Sequence, residues 1–125
     1  MGTTYLLGLG YGIEIPNSLI EAEAEKYGDE WDGAYEFIDS LLGWTKGDKY
    51  PDLDYIDASA YGEGYAFAVV LKNTKKTSYN FELISVEPVW GVLDATPIYQ
   101  FFDEEFDVGR AEVGSPAWTA AMYVG

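Results

Sequence analysis

The sequence predicts an α+β fold, with a mostly antiparallel sheet of four to five strands and two to three helices. Segments with apolar residues at every second position predict strands, and segments with apolar residues three and four apart predict helices. The predicted order is strand, helix, helix, three meandering strands, helix, strand, which is typical of an α+β domain. A length of 125 residues, 48% of them apolar, suffices for one core, so we expect a single acidic domain spanning residues 1–125.

The first predicted strand covers residues 4–15 and has two very different faces. Alternation places six large apolar side chains on one face: Tyr5, Leu7, Leu9, Tyr11, Ile13 and Ile15. Gly8, Gly10 and Gly12 point the opposite way and leave a smooth groove that a helix, an aromatic ring or another backbone can approach closely. This Gly-x-Gly-x-Gly spacing lies inside a strand pattern, unlike the glycine-rich turn of dinucleotide sites, so we interpret it as a packing feature.

A first helix is predicted after this strand. Ser18, followed three residues later by Glu21, forms a capping-box pattern that indicates a helix start. The helix is expected to run to about Tyr27, because Gly28 suits the left-handed position that often follows a helix.

A second helix is predicted from Asp29 or Glu30 to Leu42, with Gly43 as its stop. Its core-facing stripe consists of Trp31, Ala34, Tyr35, Ile38, Leu41 and Leu42. An adjacent strip is acidic and consists of Asp29, Asp32, Glu36 and Asp39. Like charges at three- and four-residue spacing destabilise an isolated helix, and no basic residue lies between Lys26 and Lys46, so the strip is a candidate functional surface.

The middle of the chain predicts three strands joined by polar segments. Residues 43–51 predict a loop, and the stretch from Leu53 through Ala60 predicts the second strand. Residues 65–71 are apolar on both faces, which is typical of a central strand packed on both sides. A turn over residues 72–78 and a returning strand over residues 79–86 predict an antiparallel hairpin.

The C-terminal part predicts a third helix and a last strand. Thr96, followed by Pro97, predicts the start of the helix, whose apolar stripe is Ile98, Phe101, Phe102 and Phe106. Its outward positions are acidic again: Asp103, Glu104 and Asp107. Residues 117–124 predict an edge strand, although Ser115 and Pro116 are also compatible with a helix start.

Composition excludes several classes of site. The chain carries 22 acidic and seven basic residues, a formal charge of −15, and it contains no histidine and no cysteine. Histidine-based triads and zinc sites built from Cys or His are therefore excluded, and no phosphate-binding Gly-x-x-x-x-Gly-Lys motif occurs. Direct nucleic-acid binding is disfavoured by the sign of the charge. We expect no cofactor and no catalytic activity.

Two carboxylate-based alternatives remain. The spacing Asp52-x-Asp54-x-x-Asp57 is the densest acidic cluster, but it departs from the calcium-loop pattern in its early ligands and at the sixth position, so we expect no metal. A glycosidase needs two carboxyl groups beside an aromatic cleft, and twenty-two carboxylates make a suitable pair almost unavoidable by chance. A carboxylate-only enzyme is therefore the third hypothesis.

Cellular location is inferred from what the sequence does not contain. No window holds about 18 uncharged apolar residues, and the first five residues lack the basic segment of a secretory signal. We therefore expect a cytoplasmic protein that does not bind membranes.

The charge pattern favours an acidic inhibitor or decoy. Carboxylates three and four residues apart on a helix present closely spaced negative charges, as a nucleic-acid strand does, and a basic groove accepts either. The expected partner is a basic, nucleic-acid-processing protein such as a nuclease or defence enzyme. The candidate contact residues are Glu21, Glu25, Asp29, Asp32, Glu36, Asp39, Asp103, Glu104 and Asp107.

In size and charge the whole chain resembles the small acidic inhibitors that bacteriophages carry against restriction or RNA-guided nucleases, and the immunity proteins that neutralise nuclease toxins. This resemblance implies an inhibitor that meets a basic target. The alternative is a structural or assembly protein, such as a virion component, in which acidity keeps an aromatic-rich chain soluble.

Overall fold

A computed structural model describes residues 5–27, 30–42, 49–57, 66–79 and 93–124 of the chain. In these ranges the strands are β1 (Tyr5–Glu14), β2 (Leu53–Asp57), β3 (Phe67–Leu71), β4 (Lys76–Tyr79) and β5 (Ala117–Val124). The helices are α1 (Asn17–Ala24), α2 (Glu30–Leu42), α3 (Thr96–Phe106) and α4 (Arg110–Val113). All the strand pairs seen are antiparallel, which confirms the predicted α+β class.

β1 lies at the centre of the sheet and pairs with three strands. Along one edge, its C-terminal part pairs with β3, where Ile13 faces Val69, and its N-terminal part pairs with β4, where Gly8 faces Thr77. Its other edge pairs with β5 over eight consecutive residues. β2 pairs with β3, so the sheet runs from β2 through β3 to β1 and then to β5, with β4 beside β1 on the same edge as β3.

The two faces of β1 have the contacts that its alternation predicts. Ile13, next to the buried Ile15, belongs to the main core on the face that the helices cover. On the opposite face, a Cβ atom added at Gly10 would lie 2.9 Å from the Val70 side chain, and one at Gly12 would lie 1.9 Å from the Val69 carbonyl oxygen. The predicted close approach to the glycine face is therefore confirmed, and the element that makes it is β3.

The predicted hairpin turn over residues 72–78 is wrong. β3 and β4 both run antiparallel to β1 along the same edge, so the chain continues in one direction through a short 3-10 helix at residues 72–74. Thr74 explains how this interruption is tolerated: its buried hydroxyl accepts a hydrogen bond from Tyr11 N at 2.9 Å and donates one to Leu71 O at 2.7 Å. The predicted returning strand at 79–86 lies outside the described residues except for Tyr79.

The main core lies between the sheet and the three longer helices. All five residues of β3 are buried, as predicted for a central strand. The buried residues of the main core are Ile13, Ile15, Ile20, Phe37, Ile38, Leu42, Tyr50, Leu53, Phe67, Val69, Leu71, Ile98, Phe101 and Phe102. A second, smaller cluster on the glycine face consists of Ile56, Ala68 and Val70, with Ala121 packed against it.

Both predicted helix caps are corrected. α1 begins at Asn17, one residue before the predicted cap at Ser18, and the Pro16 carbonyl accepts hydrogen bonds from the Leu19 and Ile20 amides. α3 begins at Thr96, whose backbone amide donates a hydrogen bond of 3.0 Å to the Asp94 carboxylate. Each helix therefore starts earlier than a cap at Ser18 or Thr96 would place it.

The predicted end of the first helix at Tyr27 is only partly right, because α1 ends at Ala24 and residues 25–27 form a 3-10 helix, whereas the bounds of three other elements agree closely. α2 ends at Leu42 and β2 begins at Leu53, as predicted, and residues 117–124 form a strand and not a helix. The four-residue α4 was not predicted, because a single turn is too short to show helical periodicity. None of the described helices has the length and apolar character needed to cross a bilayer.

Candidate acidic interface

α1 and α2 pack against each other and carry the first group of candidate carboxylates. Glu21 and Glu25 are exposed at the C-terminal half of α1 and its 3-10 extension. The nearby Lys26 ammonium pairs instead with Glu23, at 2.9 Å. The two candidates four residues apart are therefore left without a local cation, whereas Glu23, which was not a candidate, is neutralised.

α2 places two described candidates next to its buried face. Phe37 and Ile38 are buried, Glu36 is exposed, and Asp39 is partly buried. Asp32 lies within α2, and Asp29 lies outside the described residues. The helix therefore presents Glu36 and Asp39, three residues apart, beside the residues that fix it to the core.

Asp39 lies close enough to Tyr55 of β2 to influence it. Burial raises the pKa of the Tyr55 hydroxyl above its ordinary value, and the carboxylates of Asp39, Asp57 and Asp54 raise it further. The Lys75 ammonium lies 5.4 Å from the centre of the Tyr55 ring and pairs with Asp54 at 3.2 Å. Negative potential from α2 thus reaches β2, where the Lys75 ammonium contacts Asp54.

α3 carries four carboxylates in its last turn and at its end. Asp103, Glu104 and Asp107 are exposed, and Glu105 is partly buried. Carboxylates at a helix C-terminus are disfavoured, because the unpaired carbonyl groups there give that end a partial negative charge. No basic residue lies in the last turn of the helix to offset this charge. The acidic end of α3 thus lowers the stability of its own helix.

A cluster that sequence reasoning missed lies against this end of α3. Tyr50, in a segment predicted to be a polar loop, is buried, and its ring packs edge-on against Phe101 with the ring centres 5.3 Å apart. Its hydroxyl lies 2.8 Å from Glu104 Oε2 and 2.7 Å from Glu105 Oε1. An aromatic residue within a polar stretch was the available signal, but nothing local indicated what it would contact.

The charges around Tyr50 compensate one another. Burial and the two carboxylates strongly raise the pKa of the Tyr50 hydroxyl, so it stays protonated and donates. Since a hydroxyl has one proton, it donates to one carboxylate at a time. The Lys49 ammonium pairs with Glu105, which raises the lysine pKa. Hydrogen bonds from Gln100 and then Tyr50 lower the pKa of Glu104.

The structure brings the helices of the two candidate groups into contact. The Phe37 ring of α2 and the Phe106 ring of α3 meet edge-on with their centres 5.7 Å apart. Each ring is flanked in sequence by candidate carboxylates, Glu36 on α2 and Asp107 on α3. The acidic segments of α2 and α3 thus belong to neighbouring helices joined through their apolar faces.

The described candidates take part in none of the three named ion pairs. The three named ion pairs neutralise Glu23, Asp54 and Glu105, none of which was a candidate. No ion pair is seen at the seven candidates whose side chains are described: Glu21, Glu25, Glu36, Asp39, Asp103, Glu104 and Asp107. Six of these seven have no named side-chain partner, whereas Glu104 accepts hydrogen bonds from Gln100 and Tyr50.

Metal and small-molecule binding depend on other features of the described part of the chain. There, no three carboxylates lie close enough together to hold a metal ion. An open cavity of about 430 Å³ is lined by Pro51, Asp52, Leu71, Lys72, Asn73, Leu93, Asp94 and Pro97. Of its carboxylates, Asp94 already binds Thr96, whose hydroxyl and then backbone amide lower the pKa of Asp94.

One aromatic side chain stands out at the surface. Trp118 on β5 is 43% exposed, and it contacts Tyr11 of β1 edge-on with 5.7 Å between the ring centres.

Compared with known proteins, the chain matches no family model, no curated protein and no solved structure.

Proposed function

We propose that this protein is an acidic decoy that binds the basic nucleic-acid-binding surface of a nuclease or defence enzyme and blocks it. The observation that supports this proposal is the lack of ion pairs at the seven described candidate carboxylates, whereas cations nearby pair with other acids. Uncompensated carboxylates on ordered helices are available to an incoming basic surface, and their field accelerates its approach.

The spacing within each helix supports the same partner. Glu21 and Glu25 lie four residues apart, and Glu36 and Asp39 of α2 lie three apart, which puts their Cβ atoms about 5 to 6 Å from each other on one helix face. A lysine- or arginine-lined groove that holds successive phosphates meets a comparable row of negative charges here.

The acidic end of α3 adds an energetic argument. Carboxylates near the negative end of a helix lower the stability of that helix, and α3 has four of them. Sites where local stability is sacrificed are those at which function is most often found. Trp118 supplies an exposed aromatic group of the kind that anchors protein interfaces.

The test begins with affinity capture from a lysate, followed by assay of any captured nucleic-acid-processing enzyme. The decoy should inhibit that enzyme in competition with nucleic acid, and its affinity should fall steeply as the NaCl concentration rises. Capture of partners without nucleic-acid activity, or affinity that is insensitive to salt, would contradict the proposal.

Paired variants locate the contact. Glu36→Gln with Asp39→Asn, and separately Asp103→Asn with Asp107→Asn, should each weaken binding about three- to tenfold. The control, Asp52→Asn with Glu112→Gln, removes two exposed charges outside the candidate set and should have little effect. Equal losses in all three variants would indicate a general effect of net charge and not a defined interface.

A second candidate function, a structural or assembly protein, is favoured by β5. Within the described residues β5 lies at a sheet edge, and its eight residues include no charge and no proline. β2, at the opposite edge, carries Asp54 and Asp57. Proteins usually protect edge strands with charges, so an uncharged edge suits pairing with another chain. Sedimentation analysis distinguishes the two, because assembly through β5 would persist at high salt and be lost in a Trp118→Lys variant.

A further inference from the structure

The glycine face of β1 carries a groove that the main core does not use. A cavity of about 160 Å³ lies there, lined by Glu14, Ile56, Ala66, Phe67, Ala68, Thr119, Ala120 and Ala121. The sheet register explains its position: Gly10 faces Thr119, Gly8 faces Ala121 and Glu14 faces Ala68. The cavity therefore lies on the glycine face of the sheet, between β3 and β5, and Glu14 is the β1 side chain that lines it.

The walls of this groove are apolar, and its rim holds one carboxylate. Ile56 and Ala68 belong to the second core cluster, and Ala121 packs against it. Glu14 is exposed, and within the described part of the chain its carboxylate has no ion pair or hydrogen bond. An occupant that matches both features has an aliphatic body and a positive end.

We propose that the groove receives one lysine side chain of a basic protein partner, with its ammonium on Glu14. Lysine buries its carbon stem against apolar surface while its charge stays in water. Arginine fits less well, because its planar fork is best matched by two acceptors.

Other occupants are disfavoured by the same two features. A phosphate or carboxylate would meet the unpaired charge of Glu14. An uncharged apolar side chain would cover the rim without pairing that carboxylate, which gives no electrostatic gain. The inference depends on the proposed function only in that the partner is a basic protein, and it names the residue by which that partner is held.

The first experiment uses a small probe and no partner. In ¹H–¹⁵N NMR titrations, n-butylammonium chloride should shift the amides of Gly8, Gly10 and Ala121 in a saturable way at millimolar concentration. The uncharged n-butanol should bind at least about fivefold more weakly, since it lacks the charge that Glu14 recognises. Shifts of equal size with both probes, or no saturable shift with n-butylammonium, would overturn the proposal.

Three variants sharpen this measurement. Glu14→Gln should weaken n-butylammonium binding at least fivefold, and the control Glu112→Gln, which removes an exposed charge on α4, should leave it unchanged. Ala121→Leu fills the groove and should abolish the shifts, provided that the rest of the spectrum shows a folded protein. Retained binding in either Glu14→Gln or folded Ala121→Leu would place the probe elsewhere and overturn the proposal.

The same variants separate this inference from the decoy proposal. If a captured enzyme binds more weakly to both Glu14→Gln and Ala121→Leu, the groove contributes to that interface. If its binding depends on the α2 and α3 carboxylates but not on these two changes, the decoy proposal stands and the groove proposal fails. Saturable binding of n-butylammonium at Glu14, with no nucleic-acid-processing enzyme captured, supports the groove and contradicts the decoy.

Discussion

At Gly12 the backbones of β1 and β3 approach so closely that no side chain fits between them. An added Cβ atom would lie 1.9 Å from the Val69 carbonyl oxygen and 2.7 Å from Val70 Cα, both of them main-chain atoms. A flexible side chain is able to move aside, but these atoms are held by the pairing of Gly12 with Val70. The requirement for glycine here comes from space and not from an unusual backbone angle.

We predict that Gly12→Ala lowers the free energy of unfolding by about 3 kcal/mol or more. Gly109→Ala is the matched control, because nothing lies within 4 Å of an added Cβ there and its φ is −93°. The control should change stability by less than about 0.5 kcal/mol. Urea unfolding of both variants measures the difference, and similar losses in the two would refute the close approach.

Because of Tyr50, the free energy of unfolding depends on pH in the alkaline range. Its hydroxyl has a pKa above the ordinary value of 10.0, so the folded state keeps its proton while the unfolded state loses it. The stabilisation is therefore complete below about pH 10 and declines as the pH rises further. Tyr50→Phe should cost about 1 to 2 kcal/mol at pH 7, because two carboxylates lose their shared donor.

The cost of Tyr50→Phe should shrink as the pH is raised from 9 to 11. In this range the wild-type protein loses the contribution of the Tyr50 proton, which the variant never had. Denaturant unfolding at several pH values gives the comparison. A cost that is constant with pH would show that the hydroxyl is not held by Glu104 and Glu105.

At the scale of elements, β3 and β4 behave as one interrupted strand that Thr74 holds to β1. Thr74→Val keeps the shape of the side chain but leaves the Tyr11 amide and the Leu71 carbonyl without their partner. We predict a loss of about 1 to 3 kcal/mol and faster hydrogen exchange at the Tyr11 amide. Thr77→Val, at an exposed position of β4, is the control and should be close to neutral, whereas Thr74→Ser should restore most of the stability.

The residue that ends α3 lowers the stability of the fold, because Asp107 adopts a left-handed conformation with φ of 54°, which is unfavourable for a residue other than glycine. Asp107→Gly should raise the free energy of unfolding by about 0.5 to 1 kcal/mol, since glycine adopts this conformation without strain and removes a charge from the negative end of the helix. Asp107→Ala, at the same position, should lower it. A higher thermal midpoint for Ala than for Gly would exclude this helix ending.

How far the sequence predicted these elements depends on how local the deciding contacts are. The alternation of β1 and the stripe of α2 lie within a dozen residues, so both elements were predicted with nearly correct bounds. The supposed hairpin failed because its turn-like composition does not show whether the chain reverses. The direction of the chain there depends on contacts distant in sequence, such as the hydrogen bond that the Thr74 hydroxyl accepts from the Tyr11 amide, 63 residues away.

At the scale of the whole molecule, the net charge of −15 opposes folding through self-repulsion. We predict that NaCl stabilises the protein, because the screening length falls from about 10 Å at 0.1 M to about 3 Å at 1 M. A variant with Glu21→Gln, Glu25→Gln and Glu36→Gln should gain less from salt than the wild type. Thermal unfolding at the two salt concentrations tests this, and a midpoint that falls with salt would contradict it.

The candidate interface was only partly predictable at this scale. Sequence spacing identified the carboxylates, but not which of them are neutralised. Pairing is set by long-range contacts, such as Lys49 with Glu105, 56 residues apart, and Lys75 with Asp54, 21 residues apart. Tyr50 was missed for the same reason, because its partners lie on α3.

The pairing of β1 with β5 also affects the order in which the sheet forms while the chain is synthesised. Tyr5 faces Val124 and Gly12 faces Ala117, so the central strand acquires a second neighbour only when residues more than a hundred positions later are present. Contacts so distant in sequence slow folding. On the ribosome, β1 is made before all three of its partner strands, and its pairing with β5 forms only after residues 117–124 have been made.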